Sequence, residues 1–133
     1  MKIMNRVFAR LAAVLAVVGI VAVGLASQAS AAIPTVPTNL VAVAGNTSAV
    51  LTWTASGNTP TDYVIEYSPD AFALSSHQFM DGTSTAVTAT VTGLANGVTY
   101  TFRVKGMNGD GTSAASATTT ALPYSNHTPN DSA

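Results

Sequence analysis

The stretch "TGLANGVTYTFRVKGMNGDG", Thr92 to Gly111, decides how this chain is read. From Tyr100 onward, every second residue is apolar or small: Tyr100, Phe102, Val104 and Gly106. Between them stand Thr101, Arg103 and Lys105. A period of two is the signature of a strand with one face buried and one solvated. The run is bounded by turn chemistry on both sides. Gly97 precedes it and can supply left-handed backbone. Asn108-Gly109-Asp110-Gly111 follows it, and Asn-Gly and Asp-Gly favour hairpin turns.

Similar short runs extend outward in both directions. "TNLVAVAG" (38–45) reads as a strand, and Pro34 and Pro37 before it mark it as an edge. "SAVLTWTA" (48–55) places Ala49, Leu51 and Trp53 on one face. "DYVIEYS" (62–68) turns Tyr63, Ile65 and Tyr67 inward and Asp62, Val64 and Glu66 outward. "PDAFALSSHQFMDG" (69–82) is the least regular segment, a loop with a short strand near 77–80. "STAVTATVTGL" (84–94) puts Val87, Ala89, Val91 and Leu94 toward the core. "TSAASATTTA" (112–121) is weakly apolar and makes a thin second edge. Thr and Val dominate, and both suit a pleated surface. Short strands at this spacing predict an all-β sandwich or barrel.

The first 31 residues have a different design. Lys2, Arg6 and Arg10 form a basic start, Leu11–Ala26 is apolar and uncharged, and "SQASAA" ends in small residues. This is the three-part pattern of a secretory signal. Cleavage is expected after Ala31, with Ala32 as the alternative, and the product is expected outside the cell. Removal leaves two basic residues, Arg103 and Lys105, against six acids, a net charge of −4. That balance lacks the basic footprint that nucleic acid or anionic lipid requires. There are no cysteines, so neither a disulfide nor a thiolate metal site is available. About 100 residues suffice for one self-supporting core.

With these residues in order, the chain resembles a fibronectin type III domain from about Pro34 to Leu122. The resemblance is carried by Pro37 and Leu40, by Trp53 in the second strand, and by Tyr63 and Tyr67 in the third. Leu94, Gly97, Tyr100, Phe102, Arg103, Val104, Asn108 and Gly111 complete it. An antibody-type domain instead sets its Trp on the third strand against a disulfide. The resemblance implies a seven-stranded antiparallel, immunoglobulin-like β-sandwich. It also implies that Leu94 closes one strand, that "ANG" crosses between sheets, and that the Tyr100 hydroxyl bonds backbone just upstream as a tyrosine corner. Relatives of this kind stand in secreted and surface proteins of bacteria. The expected organisation is a signal peptide at 1–31, a short linker at 32–36, the domain at 37–122 and a flexible tail at 123–133.

Chemistry is sparse. A hydrolase triad could draw only on His77, near Ser76 and Asp81, or on His127 in the tail, and no nucleophile elbow is present. Glu66 faces Arg103 and Lys105 across neighbouring strands, the pattern of an ordinary ion pair. "NGDG" lacks the acids of a calcium loop. Some family members carry Arg-Gly-Asp in the last hairpin; here the Arg is replaced by Asn108 in Asn108-Gly109-Asp110, so integrin binding is not implied. Asn46, Asn126 and Asn130 match the glycosylation acceptor pattern. Phe72, Phe79 and Tyr124 are the aromatics that a carbohydrate surface could use, although Phe72 and Phe79, with Leu74 and Met80, are expected to pack over the sheet.

The resulting expectation is a secreted, non-catalytic interaction or spacer module, with no catalytic, cofactor or metal residues. The alternative is an adhesin or carbohydrate-binding module, and the third is a small extracellular hydrolase. The partner would be a protein or a cell-surface polysaccharide, not nucleic acid and not a membrane after cleavage. Binding, if present, would use Phe72, Phe79, Met107, Asn108 and Asp110. Trp53, Leu94 and Tyr100 are the expected structural residues. The chain is expected to be a monomer, with the first and last strands open to weak edge pairing.

Overall fold

The computed structural model describes residues 32–126. The expected signal peptide at 1–31, His127 and Asn130 therefore lie outside the described residues. Eight strands follow in order: β1 (Thr38–Gly45), β2 (Ser48–Thr54), β3 (Asp62–Ser68), β4 (His77–Phe79), β5 (Thr88–Thr92), β6 (Tyr100–Asn108), β7 (Gly111–Thr112) and β8 (Thr119–Ala121). All pairings are antiparallel. One sheet has the order β1-β2-β5. The other has β4-β3-β6-β7, with β8 also paired to β6. Among the described residues there is no helix.

The alternation anticipated from sequence builds the core. Ala49, Leu51 and Trp53 from β2 and Val91 from β5 face Tyr63 and Ile65 from β3 and Phe102 and Val104 from β6. Leu51, Ile65, Val91, Phe102 and Val104 are fully buried. The Trp53 ring meets Tyr63 edge-on, with centroids 5.2 Å apart and an interplanar angle of 68°. That is a preferred aromatic geometry and locks the two sheets together at one end. Tyr67 meets Tyr100 edge-on at 5.9 Å.

The corner before β6 takes the form the resemblance implied. Leu94 is buried, Gly97 has φ +80, and the Tyr100 hydroxyl accepts the Ala95 N–H at 3.2 Å. Ala95 itself is exposed, so water can replace the lost acceptor. Tyr100→Phe is therefore expected to cost about 0.5–1.5 kcal/mol, the net worth of one hydrogen bond, and not a full desolvation penalty. A urea midpoint equal to that of the parent protein would show that the hydroxyl contributes nothing.

Four details depart from the sequence expectation. Val87 is exposed: β5 begins only at Thr88, and Val87 contributes its carbonyl to the Trp53 N–H (3.0 Å). The expected last strand is split into β7 and β8. Between them Ser113 Oγ accepts the Gly106 N–H and Ser116 Oγ accepts the Val104 N–H, both at 3.0 Å. The same two serines donate their own N–H groups to the carbonyls of Gly106 and Val104. Side-chain oxygens thus stand in for ladder carbonyls, as Ser readily does where it competes with regular structure.

The segment 32–36, expected as a linker, is bound to the domain. Pro34 is buried, Thr35 exchanges bonds with Gly57, and Asn58 holds the Ile33 carbonyl. The start of the expected tail is likewise docked: Pro123 is buried and accepts the Gly97 N–H, and Tyr124 donates its N–H to Gly45.

Candidate functional site: the outer face of the β3–β6 sheet

The charged residues of the described chain gather on one side. Asp62 and Glu66 lie on β3, Arg103 and Lys105 on β6, and Asp70, Asp81 and Asp110 on the adjoining loops. In the register, Glu66 stands opposite Arg103, Val64 opposite Lys105 and Asp62 opposite Met107. Glu66 joins both cations: Oε2 accepts from Arg103 Nε, and Oε1 accepts from Lys105 Nζ at 2.9 Å. The ion pair read from sequence is therefore a three-member network, half-buried on the sheet surface.

Burial opposes ionisation of Glu66, but the bonds and charges of Lys105 and Arg103 outweigh it and hold the carboxyl below its ordinary value. Asp70 is lowered as well, chiefly by the Ser68 hydroxyl. Both folded-state values are depressed, so the stabilisation is present above the ordinary carboxylate range and is lost as the pH falls through the lowered values. The unfolding midpoint should decline as pH drops below about 4.5, the ordinary value of Glu66. Glu66→Gln should flatten part of that decline, and identical pH profiles for variant and parent would contradict the assignment.

The loop after β3 is wound around one hydroxyl. Ser68 Oγ donates to Asp70 Oδ1 and accepts the N–H groups of Asp70 (3.1 Å) and Phe72 (3.0 Å). Asp70 Oδ2 accepts the Leu74 N–H at 3.1 Å. The resulting turn holds Ala71 and Phe72 at positive φ, 56° and 66°. It lays the Phe72 ring under the Arg103 guanidinium, 4.0 Å from the ring centroid. A cation over an aromatic face at this distance is attractive.

The row of exposed aromatics that a carbohydrate would need does not form. Phe72 is on the outside of the sheet, covered by Arg103, whereas Phe79 pairs with Ile65 and packs against the core. The two rings lie on opposite sides of the sheet, so they make no row for a sugar chain. Leu74 and Met80 were expected to pack but are 97% and 82% exposed. The turn around Ser68 carries Leu74 outward, and Met80 lies just beyond the end of β4.

Asn108 and Asp110 separate in role. Asn108 Oδ1 accepts the Asp110 N–H (2.9 Å), closing the two-residue turn between β6 and β7. Its Nδ2 donates to the carbonyls of Ala32 (2.9 Å) and Asn58 (3.1 Å). Asn108 is thus a structural clamp with both polar ends engaged. Asp110 stays exposed at the hairpin tip.

Met107 joins Phe79 in one place that the sequence did not single out as a unit. A shallow cavity of about 280 Å³ opens beside β4. Asp62, Val64, Met80, Asp81 and Met107 are among the residues that line it. Asp62 Oδ1 is fixed there by the N–H groups of Tyr63 and Ser84.

Ser68 is fully buried inside its turn. Of the groups weighed for catalysis, Ser76 and Asp81 are exposed. His77 is stacked on Tyr67 with centroids 5.3 Å apart. Among the described residues no three His, Asp or Glu side chains are grouped so as to hold a metal ion.

A family model for the fibronectin type III domain matches residues 35–121. Among curated proteins none matches the sequence. Among solved structures, a crystal structure of several titin domains superposes with a TM-score of 0.61 at 25% identity, covering 70% of this chain and 33% of that one. Titin kinase with its flanking domains gives 0.58 at 24%, covering 68% and 17%. A myokine structure gives 0.59 at 17%, covering 69% and 99%. The chain thus spans a third or less of the titin structures it resembles. With two antiparallel sheets, the Trp53–Tyr63 contact, the Tyr100 corner and a family match over 35–121, this chain belongs to the fibronectin type III domain family.

Proposed function

We propose that this chain acts outside the cell as a non-catalytic interaction or spacer module of the fibronectin type III class. The fold alone does not fix a role, so the reading rests on what the side chains are engaged in. The observation that carries it is the structural occupation of Glu66, Ser68, Asp70 and His77. Glu66 is divided between Arg103 and Lys105, Ser68 and Asp70 build a turn, and His77 stacks on Tyr67. A catalytic centre needs such groups convergent on a substrate position. The basic, apolar, small-residue order of residues 1–31 supports export.

Two measurements test this. Mass spectrometry of the secreted protein should find a mature chain starting at Ala32 or Ile33; retention of Met1 in the released protein would refute export by a cleaved signal. Turnover on a broad hydrolase substrate panel should be absent, and activity abolished by His77→Ala would overturn the non-catalytic reading.

The cavity beside β4 favours a second reading, an adhesin that holds a protein or cell-surface polysaccharide. It brings Met107 together with an exposed Met80, and methionine adapts well to contact surfaces. Arrays of glycans and extracellular proteins would be probed with the parent protein and with Met80→Glu. Retention that Met80→Glu removes supports the adhesin, whereas no retention leaves the spacer role.

A further inference from the structure

A two-sheet sandwich leaves four edges, and exposed edges invite pairing with other chains unless something blocks them. Three of the four are blocked here. β1 follows two prolines, carries a register shift between Thr38 and Val41 with Asn39 at φ 54, and is closed at its far end by Tyr124. β4 has three residues, and the acids Asp70 and Asp81 stand on the segments either side of it. β7 and β8 are short pieces interrupted by the Ser113 and Ser116 bonds.

β5 has none of these devices. Its ladder with β2 is regular from Thr88 to Thr92, and it has no second neighbour. From Gly82 to Phe102 the sequence has no charged residue and no proline. The sheet that β5 terminates is charge-free as a whole: β1, β2 and β5 contain no Asp, Glu, Lys or Arg.

The direction of the free backbone groups follows from the register. Val87 turns its carbonyl to Trp53 on β2, and Ala89 and Val91 stand opposite Leu51 and Ala49. Alternate residues of an antiparallel strand point their N–H and C=O to the same side. Val87, Ala89 and Val91 therefore serve β2, and Thr88, Thr90 and Thr92 present theirs to the open edge. All three threonines are exposed.

We propose that β5 pairs with β5 of a second copy of this chain, antiparallel, about a two-fold axis at Thr90. The strand is self-complementary in that register. Thr88 faces Thr92 of the partner, Thr90 faces Thr90 of the partner, and each pair exchanges two backbone bonds. The two Thr90 side chains stand across from each other, a favourable pairing in sheets, while the Thr88 hydroxyl stays bonded to the Leu51 carbonyl of its own sheet. Charge selects the partner as well. The described residues carry five acids and two bases, all on the other sheet and its loops, so like-charged copies approach with least repulsion along β5. A five-residue edge is about 17 Å long. Such a contact falls below the roughly 1,200 Å² of a stable interface, so the dimer is weak and concentration-dependent.

The chain has no cysteine, which allows a clean test. Opposed residues of a hydrogen-bonded antiparallel pair have Cα atoms about 5.5 Å apart, within disulfide range. Under mild oxidation Thr90→Cys should form a covalent dimer at least about tenfold faster than Val43→Cys, a control at another exposed position on the same sheet. In light scattering from roughly 10 µM to 2 mM, the mean mass of the parent protein should rise. Thr90→Pro deletes an N–H that β2 does not use and should hold the mass at the monomer value with an unchanged melting temperature. Thr90→Lys, which keeps the backbone groups, should weaken the association too, in case proline perturbs the strand. Constant monomer mass for the parent, or equal cross-linking rates for the two cysteine variants, would overturn the pairing.

Discussion

Trp53→Ala is expected to destabilise the domain by about 3–5 kcal/mol, the usual cost of truncating a large buried aromatic. The indole lies between the sheets at 6% exposure and meets Tyr63 edge-on. Alanine leaves a cavity that neither sheet can close, because the β2 and β3 ladders fix the backbones on both sides. A domain of this size has a total stability of about 5–15 kcal/mol, so the variant would be marginal. Its urea midpoint should fall sharply with an unchanged slope. Trp53→Phe should cost much less, because it keeps a ring against Tyr63 and removes an indole N–H that has no acceptor. A loss below about 1 kcal/mol for Trp53→Ala would mean that the sheets are held together elsewhere.

The second large effect is expected at Gly106. It lies on the inward face of β6, where the alternation would otherwise place an apolar side chain. An added Cβ would clash with Ser56 Oγ and stand 3.0 Å from both Ser56 Cβ and Pro34 Cβ. Gly106→Ala is therefore expected to cost about 1–3 kcal/mol by overpacking. Ser56 Oγ is buried without a partner, so removing it should itself cost little. The double variant Gly106→Ala/Ser56→Ala should be more stable than the sum of the single changes predicts, since the two positions share one contact. Strict additivity would place the strain elsewhere.

Gly106 also shows how far periodicity carries. Its inward direction was legible from the alternation with Phe102 and Val104, but the need for glycine was not. That need arises because Ser56 and Pro34, both far away in sequence, are pressed against β6. The same distinction holds for the surface. That Glu66 faces Arg103 and Lys105 could be read from two strands. That Phe72 lies under Arg103 could not, because its placement depends on a turn wound around the Ser68 hydroxyl. Met107 belongs to the β6–β7 hairpin and Phe79 to β4; only folding brings them to one cavity.

With Val87 and the single last strand as the exceptions, the sequence by itself determined most of the strands and of their inward faces, the tyrosine corner and the family. These depend on local period, turn residues and a few spaced aromatics, all of which act over short stretches of chain. The tertiary structure alone decided which edge is left open, which aromatic is covered and which polar residues become clamps. Those outcomes depend on contacts between segments 15 to 76 residues apart, such as Asn39 with Thr54 and Asn108 with Ala32. No local pattern encodes contacts of that range, because their free energy exists only once both sheets have closed.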